Sequence, residues 1–321
     1  MKKILDKRKM SQEDWQTYRM QQKGIGGSEA ATILGIQPNY AKPAFILWLE
    51  KTGQKAVERL DDNEYIKWGN IMEPVIRKQF ALESGLKVYQ NNFVLQHDKY
   101  DFMIANLDGE VVDPSREGRG VLEIKTTSEW NKKEWEGDHV PNHYMAQLQH
   151  YMAVTGYKWA VVVVLIGGNK LREWYIDRDD EIIDILIQKE AEFMNMIESG
   201  TPPQIGGSPA ESQYINSNWA DALDDEISIP QAIEDMALEY QEIERQKKEL
   251  DKRAKEIKNQ ILLEAKEIKT LKGTRVKIIM PTVRKLLLDS KKLGEEMPEI
   301  LAQYKTKESV YRDFKIKAIG E

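Results

Sequence analysis

Two carboxylates and a lysine, Asp108, Glu123 and Lys125, are the side chains of this sequence whose types and spacing best suit chemistry. They lie in residues 105–127, where a polar segment containing Pro and Gly, residues 113–120, separates two short apolar runs. Such a pattern predicts two strands joined by a turn. Because successive side chains of a strand point to opposite faces, Glu123 and Lys125 share one face. If the strands pair, Asp108 comes close to Glu123.

This arrangement suits metal-assisted cleavage of a phosphodiester bond. Proteins bind Mg²⁺ through one or two carboxylates, and waters and phosphate oxygens complete its coordination. Asp108 and Glu123 would supply the carboxylates, and the main-chain carbonyl of Ile124 a third oxygen. Lys125 would lie beside the attacking water and orient it, while the metal lowers the pKa of that water. The simpler alternative is a surface hairpin with a solvated Glu and Lys, because E-x-K tripeptides are common.

A glycine-rich turn, G-I-G-G-S-E at residues 24–29 (after Lys23), is a second candidate site. It predicts a helix with Ser28 as its N-cap and a glutamate in its first turn. Main-chain N–H groups and the positive end of the helix dipole at such a turn favour an anion. Arg19 and Lys23 are close in sequence, which makes a terminal phosphate a reasonable ligand. The turn lacks a Walker-A lysine and a preceding apolar strand, so an ordinary capped helix is the alternative.

Composition restricts the classes of protein to which the chain can belong. Its 321 residues include no cysteine, which excludes disulfides and thiolate metal sites and fits the cytoplasm. The basic N-terminus is not followed by an apolar segment, so no signal peptide is predicted. The longest apolar run, residues 159–166, is too short to span a membrane. The net charge of −6 opposes nucleic-acid binding, which would therefore require basic residues gathered in a groove or channel.

The remaining elements provide a framework for these residues. Helices are predicted over Pro43–Glu50, Asn70–Ser84, Asn142–Thr155 and residues 179–198, and strands over residues 86–96, Trp159–Ile166 and Leu171–Ile176. Glu73 falls in the first turn of the second helix, a position favoured by the helix dipole. His143, Gln147 and Tyr151 share one face of the third helix, where a glutamine indicates a placed hydrogen bond. Tyr144 begins an adjacent stripe that is predicted to be core.

The C-terminal third of the chain differs in character. Residues 200–225 are rich in Pro, Gly, Ser and Asn, which predicts a domain boundary. The predicted divisions are a first domain over 1–205, a linker over 206–225 and a C-terminal helical interaction module over 226–321. Between Met236 and Leu271, mostly apolar positions alternate at steps of four and three, which predicts a long helix with a coiled-coil-like seam.

Gly273 is predicted to end this long helix, and short strands are expected at Arg275–Met280 and Tyr311–Ile316. Because the apolar stripe is narrow, it needs a partner surface, which favours an interaction role. That partner would be another subunit, a second protein or the last helix of the chain itself. A clamp on DNA through the lysines of residues 246–258 is an alternative, although glutamates alternate with them.

Five motifs, in order, resemble those of a known family. They are G-I-G-G-S-E-A-A (24–31), W-G-N-I-M-E-P (68–74), L-D-G (107–109), L-E-I-K (122–125) and Y-M-A-Q-L-Q-H-Y (144–151). Over residues 11–200 the chain resembles the YqaJ-type viral recombinases, phage alkaline exonucleases similar to lambda exonuclease. The resemblance implies an α/β fold with a restriction-endonuclease-like PD-(D/E)xK nuclease core. In this chain the core would be followed by the C-terminal long-helix module.

The resemblance also implies an activity. Enzymes of this family depend on Mg²⁺, with a two-metal site in which Mn²⁺ can substitute, and degrade one strand of linear double-stranded DNA processively from 5′ to 3′. The resulting 3′ overhang passes to a partner single-strand annealing protein, and the enzyme is a ring-shaped trimer. A phage or prophage origin and the cytoplasm of a bacterial host are therefore expected. A ring would also accommodate the acidic chain, because a basic channel can hold DNA while the outer surface stays acidic.

Matched motif by motif, the resemblance implies roles for individual residues. The positions that match metal ligands are Asp108, Glu123, Glu73 and the carbonyl of Ile124, and Asp98 matches a further acidic position of the family. Lys125 matches the catalytic lysine. Gln147 matches a glutamine close to the metal and the attacking water.

The implied 5′-phosphate site departs from the family pattern. Ser28 matches a serine that helps to bind the 5′-phosphate. The phosphate-binding arginine of the family usually lies seven residues before that serine, where this chain has Gln21. Arg19 or Lys23 must therefore supply the cation.

Two other functions remain open on the same residues. One is a non-catalytic DNA-recombination scaffold that keeps the fold, although a scaffold has no need of Asp108, Glu123 and Lys125 together. The other is an endonuclease on the same fold, because the motifs do not encode dependence on a DNA end. A duplex with blocked ends would distinguish the endonuclease from the exonuclease.

Overall fold

The structure of the chain is a computed structural model that describes residues 1–57, 63–137, 139–305, 314 and 316. These residues divide into two compact units, 1–214 and 215–321. Both units contain helices and strands, so the class is mixed α/β, as predicted. Within the described ranges, no helix combines the length and the apolar character needed to cross a membrane.

The elements of the first unit alternate between strands and helices. Its strands are β1 (Lys2–Asp6), β2 (Ile25–Gly26), β3 (Lys87–Tyr89), β4 (Phe93–Gln96), β5 (Met103–Ala105), β6 (Gly109–Val112), β7 (Arg119–Thr127), β8 (Trp159–Ile166) and β9 (Lys170–Asp177). Its helices are α1 (Gln12–Gln21), α2 (Gly27–Ile33), α3 (Ala44–Lys51), α4 (Glu64–Ser84), α5 (Asn142–Thr155), α6 (Asp180–Ser199) and the first part of α7 (Pro209–Trp219). Short 3-10 segments, Lys7–Lys9 and Glu129–Trp135, precede α1 and α5.

The central sheet of the first unit has the strand order β3–β6–β7–β8–β9. β6 and β7 form the predicted hairpin, with Gly109 opposite Leu122. Its turn is stabilised by Asp113, whose Oδ1 accepts hydrogen bonds from the main-chain N–H (2.8 Å) and the hydroxyl (2.7 Å) of Ser115. β7 and β8 are parallel, which requires a crossover, and α5 lies in that crossover.

Both faces of this sheet are buried, so β7 and β8 lie between two apolar cores. The core under α5 includes Val121, Val162, Leu148 and Met152. The core under α4 includes Leu122, Ile124, Ile76 and Phe80. A strand buried on both faces is continuously apolar, which explains the run W-A-V-V-V-V-L-I of β8. The alternation along β7 places Glu123 and Lys125 on the α5 side, on the face predicted for them.

A second sheet has the strand order β1–β4–β5–β2. The N-terminal strand β1 is antiparallel to β4, and β5 pairs with both β4 and β2. The chain passes from β5 in this sheet to β6 in the central sheet, and Asp108 lies in that connection. The position of Asp108 is therefore fixed by both sheets.

Most predicted elements around these sheets are present. α5 has the predicted bounds, because Pro141 precedes it and Gly156 follows it at φ +75°. α3, α6, β8 and β9 differ from their predicted bounds by one residue at most at each end. The predicted strand over residues 86–96 is two strands, β3 and β4, with a turn at Asn91 between them.

Helix α4 begins at Glu64, and the predicted start at Asn70 is wrong. Asn63 caps the N-terminus of the helix, because its Oδ1 accepts hydrogen bonds from the N–H groups of Tyr65 (3.0 Å) and Ile66 (3.3 Å). Pro74 lies inside the helix, although proline removes one helical hydrogen bond. Glu73 is consequently in the middle of α4 and not in its first turn.

The predicted cap of α2 is also wrong. Gly26, in an extended conformation at φ −92°, is the N-cap residue, and Ser28 is an exposed residue of the first turn. The N–H of Gly26 donates to Oε2 of Glu29 (2.9 Å), so the first-turn glutamate satisfies the N–H of the N-cap residue, while no N-cap side chain accepts from the first turn. The two-residue strand β2 lies within the glycine-rich turn, and the element before that turn is the helix α1.

The predicted linker over residues 206–225 is partly helical, since α7 lies within it. Tyr214 packs against the apolar cluster that contains α3. Glu211 is buried and accepts a hydrogen bond from the N–H of Gly206 (2.8 Å). Polar composition alone does not reveal these contacts, and the first compact unit extends beyond the predicted end at residue 205.

The elements of the second unit are α8 (Gln231–Ala265), β10 (Thr270–Lys272), β11 (Lys277–Ile279), α9 (Ser290–Glu296) and α10 (Pro298–Tyr304). α8 is the predicted long helix, but its predicted end at Gly273 is wrong. Lys266 adopts φ +48°, and the chain then enters the hairpin β10–β11, which contains Leu271. The strand predicted at Arg275–Met280 is β11, and the strand predicted at Tyr311–Ile316 lies largely outside the described residues.

Candidate active site

The candidate active site is built around Glu123 on β7 and Asp108 between β5 and β6. Glu123 is buried, with 2% of the residue exposed. Oδ2 of Asp108 accepts a hydrogen bond from the N–H of Ile124 (2.8 Å), which holds the aspartate beside β7. The hairpin thus brings the two carboxylates together.

Lys125 lies two residues beyond Glu123 on the same face of β7. Its Nζ is 2.6 Å from Oε1 of Glu123 and 4.9 Å from the ring centroid of Tyr144 on α5. Burial by itself lowers the pKa of Lys125, but the charges of Glu123 and Asp108 outweigh burial and raise that pKa above its usual value. The lysine is therefore held in its cationic form.

Helix α5 presents Gln147 and Tyr151 to the same glutamate. Nε2 of Gln147 donates to Oε1 of Glu123 (2.8 Å) and to the hydroxyl oxygen of Tyr151 (3.0 Å). The ring of Tyr151 packs against Gly27 of α2, where a Cβ would come within 2.5 Å of it. The spacing i, i+4 places Gln147 and Tyr151 on one face, so hydrogen bonds link α5 to β7, and packing of the tyrosine ring links α5 to α2.

The second oxygen of Glu123, Oε2, is buried and has no hydrogen-bond partner among the described residues. Burial and the charges of Asp108 and Glu73 raise the pKa of Glu123 to about 8, against the effect of Lys125. Burial likewise raises the pKa of Asp108. An unpartnered buried carboxylate oxygen is costly, and a bound cation would satisfy both the oxygen and the excess negative charge.

The oxygens gathered here fit a hard divalent cation. Such an ion takes one or two carboxylates and completes its coordination with carbonyls, waters and phosphate oxygens. Asp108 and Glu123 provide two carboxylates of this kind. Across the residues that the structure describes, no three His, Cys, Asp or Glu side chains converge as a metal cage. The site would therefore rely on water and substrate oxygens as well.

Glu73 approaches these acids from α4. Its carboxylate forms an ion pair with Arg77, one helical turn further along. Burial and the charge of Asp108 raise the pKa of Glu73, while Arg77 and Lys7 act in the opposite direction. Arg77 was not predicted as part of the site, although oppositely charged residues at i, i+4 were a usable signal for the pair.

Of the residues predicted to bind a 5′-phosphate, Ser28 and Arg19 are connected to Tyr151, whereas Lys23 has no described contact with the site. Ser28 is exposed in the first turn of α2, directly after the glycine that contacts Tyr151. Arg19, on α1, acts electrostatically on both Tyr151 and Lys7. Lys23 is exposed between α1 and β2.

Three residues make contacts that the sequence did not predict. Asp98 pairs with the N-terminal amine of Met1 (2.5 Å) on the exposed turn after β4, and the structure does not place it against the acids. Tyr144 packs against the core, as its spacing predicts, and its ring also lies beside Lys125, which the spacing does not predict. Lys7 was missed, because a short N-terminal segment carries no periodic pattern that points to a site.

Comparison with solved structures finds exonucleases at low similarity. An alkaline exonuclease from Laribacter hongkongensis is 21% identical, with 65% of this chain and 98% of that chain covered and a TM-score of 0.49. A phage-related exonuclease from Haemophilus somnus 129PT is 18% identical, with 55% and 96% covered and a TM-score of 0.40. Family membership is therefore decided by sequence.

The sequence comparisons are more specific. Residues 14–158 match the YqaJ-like viral recombinase domain. The protein YqaJ of Bacillus subtilis (strain 168) is 37% identical over 315 residues, which cover 97% of this chain and 96% of that protein. The match thus extends over both compact units. The chain belongs to the family of YqaJ-like viral recombinases.

Proposed function

We propose that this recombinase is a metal-dependent deoxyribonuclease that degrades one strand of linear double-stranded DNA from 5′ to 3′. The proposal rests on one observation above all. Glu123 is buried beside Asp108, with one oxygen bound by Lys125 and Gln147 and the other without a partner among the described residues. A scaffold that only binds DNA gains nothing from an acid held in this way, since the arrangement costs stability.

Mg²⁺ is the proposed cofactor, and Mn²⁺ is expected to substitute for it. Asp108, Glu123 and the carbonyl of Ile124 would hold it, and Glu73 would join them only by leaving its ion pair with Arg77. Bound there, the ion would lower the pKa of a water molecule and offset negative charge on the phosphate.

The side chains of the protein position the reacting groups. Lys125, whose pKa is raised, stays protonated, so it donates hydrogen bonds to the attacking water and does not take its proton. Gln147 fixes Oε1 of Glu123 and thereby the direction of Oε2. The N–H of Ile124 fixes Asp108 in the same manner. These contacts hold the acids in place before substrate binds, which lowers the cost of reaching the reactive geometry.

The proposal extends to the fold and the DNA end. We assign the first unit to the restriction-endonuclease-like PD-(D/E)xK nucleases. Asp108 immediately precedes the hairpin β6–β7, and the second strand of that hairpin carries Glu123 and Lys125. Ser28, with Arg19 or Lys23, would hold the 5′-phosphate near the acids and so set the direction of digestion. This arrangement would make a phosphorylated 5′ end the preferred substrate.

The resemblance to phage exonucleases supports a ring-shaped trimer, in which a basic channel encloses DNA despite the net charge of −6. The 3′ overhang would pass to a single-strand annealing protein in the bacterial cytoplasm. α8 in the second unit offers exposed apolar side chains for one of these contacts, including Met236, Ile243 and Leu250. A phage or prophage origin is consistent with this role.

A linear duplex with a 5′-phosphate on one strand tests the proposal, with Mg²⁺ or EDTA and with closed circular DNA as the control. We expect Mg²⁺-dependent loss of the phosphorylated strand, and no digestion of the circle or in EDTA. Opening of the circle would indicate an endonuclease instead. Absence of digestion in both Mg²⁺ and Mn²⁺ would contradict the proposal and favour a non-catalytic scaffold.

A further inference from the structure

The N-terminal segment of the first unit, residues 2–9, is strongly basic in an acidic chain. Its sequence, K-K-I-L-D-K-R-K, contains five cations and one carboxylate, and it precedes residues 14–158, which match the family. β1 anchors it to β4, and the N–H of Lys7 donates to the carbonyl of Asn92 (2.8 Å). Nζ of Lys7 lies 5.6 Å from the ring centroid of Trp15 on α1. The segment is therefore an ordered part of the unit.

Lys7 lies at the edge of the acid cluster. Its ammonium interacts electrostatically with the carboxylates of Glu73 and Asp108, and each of these carboxylates is affected by it in return. The cations Arg77 and Arg19 also act on it. The side chain is half-buried. A cation from outside the matched domain thus reaches the candidate active site.

Two of the neighbouring cations, Lys125 and Arg77, already have carboxylate partners. Lys125 pairs with Glu123 (2.6 Å), and Arg77 pairs with Glu73. The side chain of Lys7, in contrast, makes no hydrogen bond or ion pair with a described residue. Burial lowers the pKa of Lys7, although the charge of Glu73 opposes this effect. A half-buried ammonium without a direct partner is unfavourable, and an anionic ligand would satisfy it.

We propose that Lys7 and Arg19 together bind a phosphate group of the DNA strand that enters the active site. This inference rests on the proposed function, since a nucleic-acid substrate is what brings such an anion beside the acids. Trp15, whose ring centroid is 5.6 Å from Nζ of Lys7, lies one helical turn before Arg19 on the same face of α1. The two cations are therefore neighbours that repel each other, and a bound phosphate would relieve that repulsion. The ammonium supplies a compact charge, and the guanidinium can hold two phosphate oxygens.

Binding of duplex DNA to the full chain tests this inference without relying on activity. Fluorescence anisotropy would be measured in Ca²⁺ in place of Mg²⁺ over a series of salt concentrations, with a gel to confirm that the duplex stays intact. Lys7→Met removes the charge and keeps the length of the side chain. Lys9→Met is the matched control, because Lys9 belongs to the same 3-10 segment and is exposed.

We expect Lys7→Met to weaken binding about tenfold, because a charge-assisted hydrogen bond to phosphate is lost. The plot of log affinity against log salt has a negative slope, and its magnitude should decrease by about 0.9, which corresponds to the loss of one phosphate contact. Lys7→Arg should restore most of the affinity, and Lys9→Met should leave the slope unchanged. The thermal midpoint of Lys7→Met should not fall, because the change removes a desolvated charge.

A duplex with 5′-hydroxyl ends identifies which phosphate is bound. If the effect of Lys7→Met disappears on that duplex, Lys7 binds the terminal phosphate. If the effect persists, Lys7 binds an internal phosphodiester. Both results support a phosphate site.

Equal effects of Lys7→Met and Lys9→Met would indicate general attraction and overturn the inference, as would wild-type affinity in Lys7→Met. If the wild type binds and digests DNA while Lys7→Met does both equally well, the inference alone fails. If the wild type neither binds DNA in Ca²⁺ nor digests it in Mg²⁺, the proposed function fails and the inference fails with it.

Discussion

Nζ of Lys125 lies 2.6 Å from Oε1 of Glu123, whereas Oε2 of the same carboxylate is buried without a partner among the described residues. The two oxygens of one glutamate therefore have different surroundings. Oε1 is fixed by the lysine and by Gln147 (2.8 Å). Oε2 remains available to a cation. A single buried acid can thus be held rigidly and still act as a ligand.

The ring of Tyr144 should matter for activity because it lies 4.9 Å from Nζ of Lys125. A cation–π contact is worth about 0.5–2 kcal/mol, so Tyr144→Leu should lower the rate of digestion at saturating DNA about tenfold. Tyr144→Phe keeps the ring and should retain most of the rate. The thermal midpoint of each variant would be measured as well, to separate a loss of rate from a loss of stability. Equal losses in Tyr144→Leu and Tyr144→Phe would mean that the ring does not position the lysine.

The contact between Gly27 and Tyr151 links α2 to the site. A Cβ at Gly27 would lie 2.5 Å from the tyrosine ring. Gly27→Ala should therefore cost about 1–3 kcal/mol of stability by overpacking and should slow digestion through Gln147. Gly26→Ala is the matched control, because a Cβ there meets nothing within 4 Å. Chemical denaturation and digestion rates would be measured on both variants, and identical behaviour would contradict the predicted linkage.

His150 and Glu190 form a fully buried pair away from the acids, with Nδ1 2.7 Å from Oε1. Nε2 of His150 lies 2.9 Å from the carbonyl oxygen of Ile104, so both ring nitrogens face acceptors. Burial alone lowers the pKa of His150, but the charge and hydrogen bond of Glu190, this carbonyl and the charge of Glu29 raise it. His97 is a further titratable neighbour whose charge would act in the opposite direction.

A histidine whose folded-state pKa is raised contributes stability below its unfolded value, and the contribution disappears as pH rises through the folded-state pKa. The free energy of unfolding should therefore fall as pH rises above the unfolded value of about 6.5, as followed by urea denaturation. Glu190→Leu should cost about 3–5 kcal/mol, because it leaves a buried histidine unpaired. The double variant His150→Phe with Glu190→Leu should lose less than Glu190→Leu alone. A larger loss in the double variant would argue against a buried ion pair.

The raised pKa of Glu123, about 8, links metal binding to pH. A ligand carboxylate must lose its proton, so affinity for Mn²⁺ should increase as pH rises and level off above about 8. Below about pH 8 the affinity for Mn²⁺ should increase by up to about tenfold for each unit by which pH rises. Calorimetry in buffers of different ionisation enthalpy should detect proton release near neutral pH. Glu123→Gln should release fewer protons than the wild type, because Asp108 and Glu73 still titrate, and equal release from that variant would contradict the assignment.

The sequence predicted the elements best where a proline or a glycine lies at the end of the element. Pro141 and Gly156 fixed α5 to the residue, because proline and a left-handed glycine restrict the backbone directly. The end of α8 could not be found in this way, since Lys266 leaves the helix without a glycine or proline. The start of α4 was missed because Pro74 is tolerated within a helix that packs on the sheet.

The site followed the same division. The convergence of Asp108, Glu123 and Lys125 could be predicted because hairpin pairing and strand alternation are local properties. The proximity of Lys7 and the pairing of Glu73 with Arg77 depend on how β1, α1 and α4 pack around the hairpin. Such contacts are tertiary and leave no periodic signal in one sequence.

The most direct test of the account compares the wild type with Asp108→Asn on linear duplex DNA in Mg²⁺. Asparagine keeps an acceptor for the N–H of Ile124, so only the carboxylate charge is removed. We predict that digestion falls about 100-fold or more, while the thermal midpoint and DNA binding in Ca²⁺ are retained. Digestion by Asp108→Asn at the wild-type rate would contradict the assignment of this cluster as the site of DNA cleavage.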